Sequence, residues 1–146
     1  MKKQYPTLIH EWFEEVWNQR NAQTIDRLLA DDAIAHGITD ARGNELRGRV
    51  AFKEFHRRFL NAFPNIVVSV EDAAAEGDKI VARCVVRAKH EGDGLGFPAT
   101  QKQIEITGMC FLRIRDGKIV EGWNNFDFLA MHSQLGTLAS LIQKST

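Results

Sequence analysis

Cysteines and long apolar runs are scarce in this chain, and each scarcity excludes a class of protein. Its two cysteines, Cys84 and Cys110, lie far apart in apolar segments and lack the C-x-x-C spacing of a zinc site or redox pair. They are therefore expected to be small core residues. No apolar run approaches the roughly 20 residues of a membrane-spanning helix, and the charged segment after Lys2 and Lys3 does not resemble a secretory leader. The sequence predicts a soluble, cytoplasmic protein that does not bind membranes.

An excess of charge of either sign is also missing. Nineteen lysines and arginines balance nineteen aspartates and glutamates, and the isoelectric point is about 7.0. Proteins that bind nucleic acid or an anionic membrane surface usually carry a basic patch. We therefore expect no nucleic-acid partner, and a small molecule or another protein instead.

The common metal and phosphate motifs are absent as well. The histidines at positions 10, 36, 56, 90 and 132 show no His-x-His or His-x-x-x-His spacing with a nearby acid, the pattern typical of metal ligands. The glycines at 92, 94 and 96 are not followed by the Gly-Lys-Ser/Thr of a phosphate-binding loop. The sequence thus predicts no metal and no cofactor.

The chain does contain three amphipathic patterns that predict helices. Its 146 residues are long enough for one domain, spanning residues 1–146. Apolar residues recur at helical spacing from position 6 to 17, and again in a shorter helix expected to end at Asp31 and Asp32. A stripe of phenylalanines marks a third helix over residues 49–63, which Pro64 ends.

Runs dense in β-branched residues predict a sheet. A short strand is expected over 33–38, a loop over 39–48, and long strands at 66–75, 79–90, 103–115 and 118–127. Because no helix alternates with the long strands, they predict an antiparallel sheet with the three helices on its concave face, an α+β fold. Such a sheet curls, and helices laid across it leave an apolar cavity. The glycine-rich residues 91–100 are expected to form a flexible rim or lid.

The outer face of the predicted sheet is too apolar for simple solvation. It combines Val81 and Val85 with Met109 or Phe111 among charged residues. An apolar patch on the same face of identical chains is typical of a two-fold interface. We therefore expect a homodimer formed through the outer sheet face.

The last strand carries the main catalytic candidate, Asp127. Side chains alternate along a strand, so Glu121, Trp123, Asn125 and Asp127 share one face, where an indole, a carboxamide and a carboxylate can converge on one ligand. In a water-poor pocket the pKa of a carboxyl rises toward neutrality, which suits general acid/base chemistry. The alternative is structural, since Asp is a favoured N-cap and a helix is expected at 128–132.

Five further residues are site candidates, each with a structural alternative. His90 has the parity of the apolar strand face and can bind substrate or an oxyanion, or lie at the rim. His56 lies within the phenylalanine stripe and is either a polar group of the pocket or a core histidine bonded to a carbonyl. His36 precedes a glycine and is either a polar group of the pocket or a residue at the end of a strand. Trp17 and Phe59 either contact ligand or belong to the core.

Several short motifs resemble one family, the SnoaL-like polyketide cyclases. Besides the strand that ends at Asp127, they are Ala62-Phe63-Pro64-Asn65, Glu76-Gly77-Asp78, His90-x-Gly92, Gly96-x-Pro98 and Gln134-Leu135-Gly136. The resemblance covers most of the chain, and implies the cone-shaped α+β fold of the nuclear transport factor 2-like superfamily.

The resemblance also implies an activity. These cyclases close an aromatic polyketide ester by an intramolecular aldol reaction without a cofactor, using one aspartate that Asp127 matches. The resemblance implies that the polar residues accompanying this aspartate fall near His36 and near Gly108. At Gly108 this chain has no side chain that could form a hydrogen bond. Two functions are therefore carried forward: an acid/base enzyme acting on a small hydrophobic carbonyl compound, or a non-catalytic module that binds a ligand or dimerises.

Overall fold

The N-terminal helical region forms one wall of the fold. The structure is a computed structural model that describes residues 4–144, with side chains from residue 7 to 142. Helix α1 (Gln4–Glu11) continues as a π-helical segment (Trp12–Asn18), and the apolar side chains predicted to lie on one face are buried. Helix α2 (Ala22–Leu28) has Asn21 as its N-cap, and the side-chain oxygen of Asn21 accepts a hydrogen bond from the Gln23 N–H at 3.0 Å.

The end of α2 was predicted wrongly. It ends at Leu28, and Leu29 already has extended backbone angles and opens strand β1 (Leu29–Thr39), so Asp31 and Asp32 lie in a strand. The strand is longer than the predicted 33–38 because Leu29 pairs with Ile119 of the final strand. This long-range pairing outweighs the local preference of the two aspartates for a turn.

A six-stranded sheet follows, in the order β2-β1-β6-β5-β4-β3. Four of its strands match the predicted long runs, and helix α3 matches the predicted third helix. Two short helices, α4 and α5, follow the sheet. The bounds are β2 Glu45–Arg47, α3 Arg49–Ala62, β3 Val67–Glu76, β4 Lys79–Lys89, β5 Gln103–Arg115, β6 Lys118–Phe126, α4 Phe128–Leu135 and α5 Leu138–Lys144.

Two details of the sheet differ from the prediction. Strand β2 lies within the segment 39–48 that was expected to be a loop, and it pairs with β1. Strand β1 runs parallel to β6, whereas the other neighbours are antiparallel. The long connection between β1 and β6, which contains α3 and four strands, allows this parallel pairing. The fold class, α+β with helices on a curved sheet, is confirmed.

The core lies between the helices and one face of the sheet. Along β4 and β5 buried and exposed residues alternate, so each strand has an inner face toward the helices and an outer face. Cys84 and Cys110 are both free and buried on the inner face, as predicted. Burial raises the pKa of Cys84 to about 11 and that of Cys110 to about 12, so both remain neutral thiols.

The glycine-rich segment 91–100 forms a rim that is anchored to the end of α3. The Glu91 N–H donates to the Ala62 carbonyl at 2.9 Å, and Gly92 and Gly94 pack directly on α3 carbonyls. A Cβ at Gly94 would lie 2.1 Å from the Arg58 carbonyl oxygen, so only glycine allows this approach. Across residues 4–144, no helix is long and apolar enough to cross a membrane.

The backbones of β1 and β6 approach each other closely at Gly37 of β1. Its φ is +84°, and a Cβ there would lie 1.9 Å from the Asn124 carbonyl oxygen of β6. Gly43, in the loop after β1, has a φ of +83° but no neighbour within 4 Å of an added Cβ. The two glycines therefore separate the effect of backbone conformation from that of packing.

We expect Gly43→Ala to lower the free energy of unfolding by about 1 kcal/mol, the cost of a left-handed backbone for alanine. Gly37→Ala should add the clash with β6, roughly 1–3 kcal/mol more. Urea denaturation of both variants measures the difference. Equal losses would show that the β1–β6 contact relaxes without cost.

Candidate functional site

An apolar cavity lies between the helices and the inner face of the sheet. It encloses about 820 Å³, including its open mouth. Among the described residues that line it there is no Asp, Glu, His, Lys or Arg, and Asn124 carries the one amide. We call this space the inner cavity.

Aromatic rings form the helical wall of the inner cavity. Trp17 packs edge to face against Phe55 and Phe59, with ring centroids 6.2 and 5.9 Å apart, and Phe55 stacks on Phe59 at 5.5 Å. Trp12 contacts Phe52 at 5.3 Å on the same wall. Trp17 and Phe59, two predicted ligand contacts, thus line the cavity, and their contact with a ligand stays a prediction.

Asn124 is the polar residue of the inner cavity that the sequence analysis missed. Its side-chain N–H donates to the His36 carbonyl oxygen of β1 at 3.0 Å, which orients the amide. A second N–H of the same group can donate to a ligand carbonyl. Gly122 and Phe126 share the face of β6 that carries Asn124, but alternation along the strand does not show that this face meets the helices.

The predicted grouping on β6 exists, but it lies on the outer face of the sheet. Trp123, Asn125 and Asp127 are exposed, and none of them lines the inner cavity. The expected convergence of these groups on an enclosed ligand is therefore wrong. Strand periodicity shows which residues share a face, but not which face meets the helices.

Asp127 is the N-cap of α4. Its carboxylate accepts a hydrogen bond from the Ala130 N–H at 3.0 Å, and its own N–H donates to the Thr107 carbonyl at 3.0 Å. The carboxylate is exposed, so its predicted burial in a water-poor pocket does not hold. Asp127 therefore has the capping role that was the alternative to catalysis, and a catalytic role remains a proposal.

His36 belongs to a charged cluster on the outer face. Its ring stacks on Trp123, with centroids 5.2 Å apart, and its two nitrogens contact the carboxylates of Glu121, at 2.6 Å, and Glu45. The Glu121 contact, followed by the Glu45 contact, raises the pKa of His36. Arg113 holds Glu121 at 2.7 Å and, with His36, lowers the pKa of that carboxyl. His36 therefore pairs with carboxylates outside the cavity.

His56 is a core histidine. It is buried, its Nε2 lies 2.7 Å from the Val16 carbonyl oxygen, and the edge of the Trp17 ring packs against it. Desolvation lowers its pKa. The ring supports the aromatic wall from behind and does not line the inner cavity.

His90 is fully buried beneath the 91–100 rim, beside Phe63. The Thr100 N–H donates to Nδ1 at 3.1 Å, so in the neutral ring the proton lies on Nε2. Nε2 has no hydrogen-bond partner among the described residues, and desolvation lowers the pKa of the ring. Its predicted inward orientation is confirmed, but it does not line the inner cavity.

Comparison with known proteins identifies the family. Residues 7–135 match the SnoaL-like polyketide cyclases. The chain belongs to this family. No curated protein matches the SnoaL-like chain significantly.

Solved structures have the same fold. IdmH from Streptomyces antibioticus, a proposed polyketide cyclase, is 32% identical over 91% of this chain and 99% of its own, with a TM-score of 0.78. AclR from Streptomyces galilaeus, a proposed hydroxylase, is 25% identical over 94% and 99%, with a TM-score of 0.79. A Catenulispora acidiphila protein described as having a ketosteroid isomerase-like fold is 20% identical over 90% and 93%, with a TM-score of 0.73. This SnoaL-like chain therefore has the nuclear transport factor 2-like fold.

The structure also accounts for the glycine at which the SnoaL-like resemblance implies a polar side chain. The ring of Phe126 covers Gly108, and a Cβ at Gly108 would lie 2.1 Å from that ring. Phe126 in turn lines the inner cavity. At this position the cavity wall is therefore an aromatic ring and carries no hydrogen-bonding side chain. Among the described residues, no cluster of His, Cys, Asp or Glu could hold a metal ion.

Proposed function

We propose that this protein binds a small hydrophobic carbonyl compound in the inner cavity and favours its ring closure by holding it in a folded conformation. The observation that supports the proposal is the composition of the cavity wall, which is aromatic and aliphatic apart from Asn124 and the neutral thiol of Cys110. The cavity is open to solvent at its mouth, so a ligand can enter it. A rigid apolar wall excludes water and restricts a flexible chain to conformations in which its reacting carbons meet.

The reaction that fits such a cavity is an intramolecular aldol closure. A carbon α to one carbonyl bonds to a second carbonyl carbon of the same molecule, and the proton that it loses passes through water at the open mouth to the oxygen of that second carbonyl. No external oxidant or reductant is needed. The Asn124 amide can donate to the oxygen on which negative charge develops, and such a donor stabilises the transition state.

Filling the inner cavity should weaken ligand binding. Ala35 of β1 lines the cavity, and we expect Ala35→Phe to weaken binding of prodan, an uncharged fluorescent naphthyl ketone, by about tenfold or more, roughly 1.4 kcal/mol. Ala74→Phe, on the exposed side of β3, adds the same ring outside the cavity and should leave binding unchanged. Fluorescence titration measures both, and equal affinities in the two variants would contradict binding in the cavity.

A second candidate function is acid/base catalysis by Asp127. The observation in its favour is that Phe126 and Phe128, its neighbours on both sides, line the inner cavity, so the Asp127 backbone borders the cavity wall. The carboxylate would have to leave the Ala130 N–H and rotate toward the mouth to take a proton from the substrate. This candidate also agrees with the match of Asp127 to the family's aspartate.

Two substitutions separate capping from catalysis. Asn caps a helix as well as Asp, so Asp127→Asn should keep the fold, whereas Asp127→Ala should cost about 1 kcal/mol of stability. If Asp127 transfers protons, Asp127→Asn keeps prodan binding but reduces turnover of a linear polyketide ester about 100-fold or more. Thermal denaturation and a product assay measure the two effects. Unchanged turnover removes Asp127 from the mechanism and leaves confinement.

We also propose that two copies associate through the outer face of the sheet. Val81, Phe111 and Trp123 are directly opposite one another on β4, β5 and β6, and each is more than a third exposed. Phe111 packs edge to face on Trp123, with centroids 5.7 Å apart. The pair Arg113–Glu121 lies in the next row of the same face, and the pair Arg87–Glu105 lies three rows away on the other side. Both signs of charge are therefore available for self-complementary contacts across a two-fold axis.

Phe111→Glu should prevent this association, because it places a charge at the centre of an apolar interface. Sedimentation equilibrium should give twice the 16.5 kDa chain mass for the wild type and the single mass for the variant. Val50→Glu, an equally large change at an exposed residue at the start of α3, should leave the dimer intact. A monomeric wild type would exclude the interface.

The cytoplasm is the proposed location. Cys84 and Cys110 are free and buried, and neither is a zinc ligand or part of a redox motif. Unpaired thiols in a small domain are typical of a reducing compartment. This proposal concerns the environment only and does not bear on the reaction.

A further inference from the structure

A second concavity adjoins the inner cavity. It spans about 970 Å³, including open solvent, between the loop after β1, helix α3, the 91–100 rim and helix α4. It shares Ile38, Phe55, Phe59 and Phe128 with the inner cavity, so these side chains form a neck between the two spaces. We call the outer space the vestibule.

The vestibule differs from the inner cavity because it contains a guanidinium group. Arg58 of α3 lines it and is half-buried, and its one hydrogen bond among the described residues is a long one, from Nη2 to the Thr39 carbonyl at 3.4 Å. Within residues 7–142, no carboxylate forms an ion pair with it; Glu54 of the same helix, whose pKa Arg58 helps to lower, is bonded to Arg57 instead. A guanidinium offers five N–H donors, so most of those on Arg58 have no protein acceptor.

The other half-buried arginines are well satisfied. Arg49 donates twice to the Leu29 carbonyl, at 3.0 and 2.8 Å, and Arg113 pairs with Glu121 at 2.7 Å. Arg58 is therefore the half-buried arginine of the described chain that lacks both a close carbonyl and a carboxylate. A partly desolvated charge of this kind is costly unless a partner completes it.

The remaining polar groups of the vestibule do not supply that partner. Asp40 faces the same space, but its Oδ1 accepts from the Arg42 and Asn44 N–H groups, both at 2.9 Å. These backbone bonds, that from Asn44 first, lower the pKa of Asp40, and its carboxylate forms no ion pair with Arg58. Desolvation lowers the pKa of His132, which is therefore neutral at pH 7 and contacts the Thr137 hydroxyl at 2.7 Å.

We propose that the vestibule binds the carboxylate of an amphipathic ligand whose apolar part occupies the inner cavity, with Arg58 as the anchor of that carboxylate. The proposal rests on binding in the inner cavity as set out above, and narrows the ligand to hydrophobic carboxylic acids. A planar guanidinium matches a carboxylate through two parallel N–H···O bonds. On α3, Arg58 adjoins Phe59 and is three residues from Phe55, so the charge lies next to the neck and one ligand can reach both spaces.

A pair of probes that differ only in charge tests this assignment. Anthracene-2-carboxylate and its methyl ester share one apolar ring system, and fluorescence titration at pH 7.5 gives both affinities. The wild type should bind the acid more tightly than the ester, and added salt should weaken only the acid. Arg58→Gln should weaken binding of the acid about tenfold, as expected for loss of a charge-assisted hydrogen bond, and leave the ester unchanged.

Arg57 supplies the matched control. It is the neighbouring arginine of α3, exposed and paired with Glu54, so Arg57→Gln removes the same charge without touching the vestibule. Its affinities for both probes should equal those of the wild type. Arg58→Lys, which retains a charge but loses the planar fork, should give an intermediate loss for the acid and provides the readout if Arg58→Gln does not fold.

The outcomes distinguish the two levels of the proposal. If the ester binds but Arg58→Gln does not change the affinity for the acid, the carboxylate assignment is overturned and binding in the inner cavity stands. If neither probe binds the folded wild type, both fail. If Arg57→Gln and Arg58→Gln lower the affinity for the acid equally, the effect comes from the overall surface charge, and Arg58 is rejected as the anchor.

Discussion

The parallel pairing of β1 with β6 is the contact on which the rest of the structure depends. It places the strand that follows α2 beside the last strand of the sheet, so that the N-terminal helices cover strands from the second half of the chain. The contact is tight at Gly37, where the two backbones meet, and the Asn124 amide bonds the neighbouring His36 carbonyl. The same pairing therefore builds the cavity wall and orients the one amide in it.

The sheet also separates apolar chemistry from charged chemistry. Along β6, Gly122, Asn124 and Phe126 face the helices, while Glu121 and Trp123 lie in the outer cluster with His36. A carboxylate buried in the inner cavity would lack the partners that offset its desolvation. Charge instead lies on the outer face and at the mouth, so the ligand recognition that we propose divides into shape inside the cavity and charge at its entrance.

The comparisons show why the fold alone does not settle the chemistry. IdmH is a proposed polyketide cyclase and AclR a proposed hydroxylase, yet both align over nearly the whole chain. One fold thus supports different reactions, which depend on a few side chains. In this protein Phe126 over Gly108 and the cap formed by Asp127 are the departures from the acid/base arrangement that the resemblance implied.

Local patterns were sufficient for most elements of the fold. The phenylalanine stripe and Pro64 predicted α3, and alternation with tight turns predicted β3 to β6, because periodicity and turn chemistry are properties of neighbouring residues. Patterns failed where a distant partner decides, as at Leu29, whose extended conformation follows from pairing with Ile119.

The candidate site shows the same division more sharply. The sequence by itself determined that Trp123, Asn125 and Asp127 share a face, that a phenylalanine stripe lines one side of α3, and that the two cysteines belong to the core. Only the tertiary structure decided that this face of β6 points outward, that Asn124 lies in the cavity, and that Arg58 is left without a carboxylate. The reason is physical: alternation along a strand is a local property, whereas the face that becomes buried depends on which distant helices pack against it.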